Sequence, residues 1–166
     1  TLPQSQAAPK HALSAKYGDG AQPLHTDGSH HKEPPDIVLL SVEVPSKVPT
    51  MLWQFPDFGI PAETWHDLRH GLFTVRTGGS AFLTPAFNRG RVRFDPGCMT
   101  PADSRAVRVI DFFSRMQSEA FRHEWTASGL ILAIDNRKVL HARGPAEEEP
   151  ERTMHRIAIR VPEENI

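Results

Sequence analysis

The chain has 166 residues, of which 39% are hydrophobic and 23% charged, and its formal net charge is −1 at pH 7. These values are typical of a globular domain and exclude a disordered or fibrous chain. Because no excess of basic residues is present to neutralise phosphates, we do not expect a nucleic-acid partner. The longest apolar runs are too short to span a bilayer, so we do not expect membrane association either.

The length predicts one domain over residues 1–166. The single cysteine, Cys98, excludes an internal disulfide and favours a reducing, cytoplasmic location. The N-terminal segment, residues 1–16, lacks the apolar core of a signal peptide.

The first half of the chain predicts short strands around one helix. Residues 36–44 are rich in β-branched side chains and lie between prolines, which indicates a buried strand. A second, shorter strand is expected at 51–55. Pro61, in a position that suits the first turn of a helix, and the helical spacing of apolar residues after it predict a helix over 61–73. Residues 78–91 are interpreted as a loop, either a mobile lid over a pocket or plain surface.

The second half contains the longest predicted helix. A strand is expected at 90–96, where polar and apolar side chains alternate. Thr100 is expected to cap a helix over 100–120, whose apolar side chains recur on one face. Three more strands are predicted, at 122–127, 129–135 and 153–161. Because strands outnumber helices and cluster at both ends of the chain, we predict a mostly β fold, an antiparallel sandwich or open barrel with helical insertions.

The stretch PLHTDGSHH, residues 23–31, concentrates three of the nine histidines beside one aspartate. On a strand, His25 and Asp27 would point to the same face, because side chains two positions apart do so. A neutral imidazole with a carboxylate suits Fe(II), Mn(II) or Zn(II). The alternative is a surface loop with incidental histidines, which is our interpretation of His30 and His31.

A third ligand is expected from a distant part of the chain, and the candidate is His141 in ILAIDNRKVLHAR. Two histidines and one carboxylate on one face of a metal form the facial triad of non-haem Fe(II) oxygenases. Alone, His141 would be interpreted as a core or turn histidine. We interpret Asp135 and Asn136 as a structural turn that orients it.

Two arginines follow in ERTMHRIAIR. Strand alternation places Arg152 and Arg156 on one face together with Met154. Guanidinium groups that point into a pocket would bind carboxylates through paired hydrogen bonds. An exposed strand face carrying arginines is the alternative.

Five stretches occur in an order and spacing that resemble one enzyme family over about 140 residues, from Ala15 to Val161. They are PLHTDG, VPTMLW, RVRFDPGCM, LILAIDNRKVLHAR and ERTMHRIAIR. Together they resemble the Fe(II)/2-oxoglutarate-dependent oxygenase superfamily, and most of all the branch of taurine dioxygenase and clavaminate synthase. The N-terminal region is shorter than is usual in that family.

This resemblance implies a double-stranded β-helix (jelly-roll, cupin-like) core with helical insertions. It also implies an enzyme that uses Fe(II), 2-oxoglutarate and O₂ to oxidise an unactivated C–H bond of a small, anionic substrate. Hydroxylation is the expected outcome, with release of succinate and CO₂. The residues implied are the iron ligands His25, Asp27 and His141, Thr50 and Arg152 for the distal carboxylate of 2-oxoglutarate, and Arg156 for the substrate.

Two other functions remain open at this point. One is a non-catalytic β-helix protein that binds a ligand. The other is a zinc-dependent hydrolase that uses the same three metal ligands, although no H-E-x-x-H motif is present in the chain. The residues do not specify the substrate, the choice between hydroxylation, desaturation and cyclisation, or the oligomeric state.

Overall fold

The computed structural model describes residues 13–77, 79–149 and 152–162. Three α-helices are α1 (Leu13–Tyr17), α2 (Ala62–His70) and α3 (Ser104–Met116), and a 3₁₀ turn follows at Gln117–Glu119. The strands are β1 (Ile37–Val42), β2 (Ser46–Gln54), β3 (Leu72–Thr77), β4 (Ser80–Pro85), β5 (Phe87–Asn88), β6 (Arg91–Val92), β7 (Met99–Pro101), β8 (Phe121–Trp125), β9 (Ile131–Asp135), β10 (Val139–Arg143) and β11 (Met154–Ile159). The fold is therefore mostly β, as predicted.

Two three-stranded antiparallel sheets form the central part of the fold. Their strand orders are β11-β1-β9 and β10-β2-β8. In β1 every second side chain is buried, and Val38, Leu40 and Val42 form a core cluster with Trp125 and Ile134. This alternation is the period of two that the sequence shows over residues 36–44. A third sheet, β4-β3-β7, and the β5-β6 pair complete the described strands.

Helices α2 and α3 pack together beside a larger apolar cluster that includes Phe113. Arg108 of α3 donates to both carboxylate oxygens of the buried Asp67 of α2, each at 2.6 Å. These hydrogen bonds lower the pKa of Asp67 and outweigh the opposing effect of burial. Gly71 ends α2 where a Cβ atom would lie 2.8 Å from the backbone nitrogen of Ala106, so only glycine permits this close approach.

The helix boundaries differ from those predicted. Thr100 lies in β7, and the cap of α3 is Asp103, whose side chain accepts a hydrogen bond from the backbone N–H of Ala106 at 2.8 Å. Both residue types cap helices, so the local pattern permitted either position. The predicted helix over 61–73 ends at His70, because the chain turns into β3 after Gly71.

The prediction of a loop over residues 78–91, as a mobile lid or plain surface, is wrong. Strands β4, β5 and the first residue of β6 occupy most of it, and β4 pairs with β3 from Leu72–Pro85 to Thr77–Ser80. Strands β3 and β4 contain threonine and phenylalanine, which are residue types that a pleated, half-buried surface favours. Gly78 lies outside the described residues, as do residues 1–12 of the N-terminal segment. Among the helices of the described ranges, none has the length and apolar character needed to cross a membrane.

Candidate metal centre

His25 and His141 are neighbours although they lie far apart in the sequence. They form an isolated antiparallel bridge in which each backbone N–H donates to the other residue's carbonyl at 2.9 Å. Their ring centroids are 4.4 Å apart. The backbone therefore fixes where both imidazoles start, and the pairing predicted from sequence is present.

Asp27 completes a three-residue cluster, which we call the triad. One ligand atom from each of His25, Asp27 and His141 lies within 4.8 Å of the others, and all three residues are buried. Each imidazole Nε2 is 3.7 Å from the Asp27 Oδ1, too far for a hydrogen bond. Asp27 lies in the turn after the bridge rather than on a strand, so turn geometry, not strand alternation, brings it beside His25.

The side chain of Asn136 holds the backbone N–H and carbonyl of Asp27. The sequence predicts Asn136 in a turn that orients His141. The backbone N–H of Asp27 donates to Asn136 Oδ1 at 2.8 Å, and Asn136 Nδ2 donates to the Asp27 carbonyl at 3.0 Å. The same Nδ2 also donates to the carbonyl of Pro35 at 2.9 Å. Asn136, only 1% exposed, thus fixes Asp27, and none of its side-chain hydrogen bonds within the described ranges goes to His141. The predicted turn is present just before β10, which carries His141, and its asparagine also holds Asp27.

Gly28 allows the chain to turn directly after Asp27. Its φ of +67° lies in the left-handed region, and an added Cβ would lie 2.6 Å from Cδ of Pro35. Glycine alone meets both conditions without strain. This turn keeps the carboxylate of Asp27 inside the cavity.

The charge state of the triad suits a divalent metal. Burial alone raises the pKa of Asp27, but the adjacent His25 imidazole and the charges of His141 and Arg156 outweigh this effect, so the pKa falls below its ordinary value. Burial, followed by the charge of His25, lowers the pKa of His141 to about 3. At neutral pH the triad therefore contains a carboxylate and a neutral His141 imidazole with a lone pair to give.

Hydrogen bonding within the triad also fits metal binding. Nδ1 of His25 donates to the carbonyl of Pro23 at 3.0 Å, which leaves Nε2 as the lone-pair atom that faces Asp27. Among the described residues, Asp27 Oδ2 and His141 Nδ1 are buried without a hydrogen-bond partner. An unpaired buried carboxylate oxygen costs free energy that a bound cation would recover. The three residues thus fit a metal ion of the kind that two imidazoles and one carboxylate hold.

Arg152 and Thr50 lie along the same cavity of about 1060 Å³ as the triad. Within the described part of the chain, Nε and Nη2 of Arg152 are buried and have no partner. The neighbouring Glu149 does not fill this role, because its carboxylate accepts from Ser46 Oγ at 2.7 Å and from the Lys47 backbone N–H at 2.9 Å. Burial lowers the pKa of Arg152, but a guanidinium keeps its charge at neutral pH. Arg152 therefore offers two donors to an anion in the cavity.

Arg156 contacts the triad directly. Its Nη1 donates to Asp27 Oδ1 at 3.0 Å, while 61% of its side chain is exposed. Arg152, Met154 and Arg156 all line the cavity, as strand alternation predicts, although Arg152 lies just before β11. His30 and His31 are exposed, as the interpretation of a surface loop expects, and they also line the cavity.

The fold is shared with solved oxygenases, whereas no protein-family model and no curated protein matches the sequence. An asparagine oxygenase solved with Fe(II), 3-hydroxyasparagine and succinate aligns with a TM-score of 0.72 at 17% identity, over 92% of this chain and 54% of that one. The non-haem iron oxygenase OrfP, solved with Fe and alpha-ketoglutaric acid, aligns with a TM-score of 0.64 at 22% identity, over 82% of this chain and 48% of that one.

This chain therefore has the fold of these iron oxygenases, and it spans about half the length of each. At identities of 17% and 22% the likeness concerns the fold alone. The reaction has to be inferred from the residues of the cavity.

Proposed function

We propose that this protein is a non-haem Fe(II)- and 2-oxoglutarate-dependent oxygenase acting on a small, anionic, amino-acid-like substrate. One observation carries the proposal: a buried carboxylate and two imidazoles converge in a cavity that also contains a guanidinium with two buried nitrogens that have no partner among the described residues. The first group suits iron, and the second suits the far carboxylate of a dicarboxylic 2-oxo acid.

Each predicted residue has a separate task in this proposal. His25, Asp27 and His141 hold the iron, and the anionic Asp27 offsets part of its charge. Thr50 and Arg152 hold the distal carboxylate of 2-oxoglutarate, so that the oxo-acid end faces the triad. When bound, iron and 2-oxoglutarate supply the oxidation, in which one atom of O₂ enters succinate as CO₂ leaves and the other enters the substrate.

Arg156 is the proposed contact for the substrate's anionic group. Its exposed guanidinium lies beside Asp27, so a carboxylate bound to it would place the rest of a small substrate next to the triad. The solved relatives support an amino-acid-like substrate: one was solved with hydroxyasparagine, and OrfP was also solved with succinate and (3S)-hydroxy-L-Arg. Hydroxylation is accordingly the proposed outcome.

We further propose that the β11-β1-β9 and β10-β2-β8 sheets form a double-stranded β-helix within a single domain. Their antiparallel order supports this arrangement, as does the fold shared with iron oxygenases. A cytoplasmic location stays a prediction.

The test begins without oxygen. Fe(II) and 2-oxoglutarate are added together, and the charge-transfer absorption of their complex is measured; O₂ and a set of L-amino acids are then admitted and succinate is assayed. We expect the absorption band and substrate-dependent succinate with the native chain, and neither with His141→Ala. His66→Ala is the matched control, because His66 lies on the exposed side of α2, and it should behave as the native chain.

Two outcomes would overturn the proposal. Absence of the absorption band with the native chain would show that the protein does not bind Fe(II) and 2-oxoglutarate together. Turnover supported by Zn(II) without 2-oxoglutarate would indicate a hydrolase instead.

A further inference from the structure

Trp125 makes a buried hydrogen bond to Thr50 that the proposed reaction does not by itself require. The indole Nε1 donates to Thr50 Oγ1 at 3.0 Å. Trp125 is 1% exposed and Thr50 is 3% exposed, so water does not compete for this contact. Strands β8 and β2 bring the two residues together, with a register irregularity in β2 between Ser46 and Thr50.

This hydrogen bond has a definite direction. An indole N–H can only donate, so the hydroxyl oxygen of Thr50 must be the acceptor. A hydroxyl has a single proton, and that proton then points away from Trp125. Among the described residues no other hydrogen bond of the Thr50 hydroxyl is recorded. Because Thr50 lines the cavity, its proton is available to a ligand there.

The same cavity offers, among the described residues, the two unpaired donors of Arg152. Together, the Thr50 hydroxyl, with one lone pair occupied by the indole, and the Arg152 guanidinium present mainly donors to a ligand in the cavity, which favours an anion over a neutral polar group. If Trp125 were absent, the Thr50 hydroxyl could turn its lone pairs toward the ligand. The hydroxyl of Thr50 would then donate its proton to another acceptor, and the preference of the cavity for an anion would weaken.

We propose that Trp125 is a positioning residue that makes Thr50 a fixed hydrogen-bond donor toward the distal carboxylate of a dicarboxylic 2-oxo acid. This inference rests on the proposed function, since it concerns the same ligand. Trp125 acts through Thr50 and does not touch the ligand. A purely structural role, in which Thr50 only satisfies a buried indole, predicts a loss of stability without any selective effect on ligands.

The test is a double-mutant cycle with Trp125→Phe, Thr50→Val and the double variant, each loaded with Mn(II) in the absence of iron. The dissociation constants of 2-oxoglutarate and of 2-oxobutyrate, which lacks the distal carboxylate, are measured by calorimetry. We expect Thr50→Val to weaken 2-oxoglutarate binding about tenfold and Trp125→Phe about fivefold. In the double variant the loss should equal that of Thr50→Val alone, because Trp125 has no other route to the ligand. Binding of 2-oxobutyrate and of Mn(II) should be unchanged throughout.

Equal losses from Trp125→Phe with and without the Thr50 hydroxyl would overturn the inference, as would an equal loss for both oxo acids. These results would leave the proposed function intact as long as the native protein binds 2-oxoglutarate. If the native, metal-loaded protein binds neither oxo acid, the proposed function itself fails.

A second measurement needs no change at Trp125, in case Trp125→Phe does not fold. The chain has three tryptophans, so ¹⁵N-labelled protein loaded with diamagnetic Zn(II) gives three indole N–H signals. We expect 2-oxoglutarate to shift the Trp125 signal, because a hydroxyl that donates to an anion becomes a stronger acceptor. The shift should be lost in Thr50→Val and absent with 2-oxobutyrate. An unchanged Trp125 signal on saturation with 2-oxoglutarate would contradict the inference.

Discussion

Two buried carboxylates in this molecule are treated in opposite ways. Between α2 and α3, both oxygens of Asp67 accept hydrogen bonds from Arg108. In the cavity, Oδ2 of Asp27 has no partner among the described residues, and neither do Nε and Nη2 of Arg152. Leaving such groups buried and unpaired costs free energy, whereas a two-point pair recovers part of it.

This difference in hydrogen bonding separates polar groups that stabilise the fold from polar groups that are positioned to bind a ligand. Asp67 and Arg108 contribute to stability, because removing either leaves the other without its partner. In the ligand-free chain the buried Oδ2 of Asp27 and the two unpaired nitrogens of Arg152 carry a desolvation cost that a metal or an anion would offset, although Arg156 already pairs with Oδ1 of Asp27. Substitutions in the two regions should therefore affect different quantities, and the predictions that follow test this separation.

The largest expected effect is on metal binding. Asp27→Ala removes the only carboxylate of the triad, and we expect Fe(II) affinity to fall by at least about 100-fold. The free energy of unfolding of the metal-free protein should change less than in a variant that breaks the Asp67–Arg108 pair, because the loss of the Arg156 contact is offset by removal of the unpaired, buried Oδ2. Anaerobic Fe(II) titration and chemical denaturation measure the two quantities. The control is Asp111→Ala, at an exposed position of α3. A large loss of stability in Asp27→Ala would erase the proposed contrast with Asp67.

The next effect concerns 2-oxoglutarate. Arg152→Gln should weaken its binding about 30-fold while leaving metal affinity within about twofold, because the guanidinium faces the anion rather than the triad. Calorimetric titration of the Mn(II)-loaded protein measures both. Arg160→Gln is the matched control, since Arg160 also lines the cavity but is paired with Glu33. Equal losses in the two variants would mean that the cavity's overall charge, and not Arg152, attracts the ligand.

At the Asp67–Arg108 contact between α2 and α3, a substitution should affect stability alone. Arg108→Ala should lower the free energy of unfolding, because it leaves the buried carboxylate of Asp67 without its partner, but by less than for a fully buried pair because the Arg108 side chain is half exposed. Metal and 2-oxoglutarate affinities should not change. The lowered pKa of Asp67 means that the pair stabilises the fold above the ordinary carboxyl pKa of 3.8 and that this stabilisation is lost as the pH falls further. The difference between the native chain and Arg108→Ala should therefore shrink below about pH 4.

The variant Asn136→Ala tests whether the support of Asp27 by a neighbouring side chain affects metal binding. It removes the amide that holds the Asp27 peptide on both sides, and we expect metal affinity to fall about tenfold. The change should be visible in the ligand-field spectrum of the Co(II)-loaded protein, because the Asp27 carboxylate shifts relative to the imidazoles. Asn88→Ala, at an exposed position of β5, is the control. A variant that is destabilised yet keeps its metal affinity and spectrum would show that Asn136 supports only the turn.

Much of the candidate site could be predicted from the sequence because residue types that bind metals and carboxylates occur in short motifs. His25 with Asp27, His141 and the arginine pair each allow another interpretation when taken alone, and their order along the chain, which resembles that of an enzyme family, completed the hypothesis. The alternation of β1 likewise appears directly in the sequence. These features depend on local pattern, which a linear reading preserves.

The residues that were missed act across long distances along the chain. The Asn136–Asp27 hydrogen bonds join residues 109 positions apart, and the Trp125–Thr50 bond joins residues 75 apart. No local pattern marks an asparagine or a tryptophan for such a role. The β3-β4 hairpin was missed for a different reason: glycines near its turn suggested an open loop, whereas pairing with the neighbouring strand decided its structure.

The backbone bridge between His25 and His141 has a consequence for how the molecule assembles. A contact between such distant segments closes a very large loop, and its entropic cost is recovered only when much of the intervening chain has already condensed. We therefore expect the two imidazoles to meet late during folding, so that a metal titration would report on chains that have finished folding.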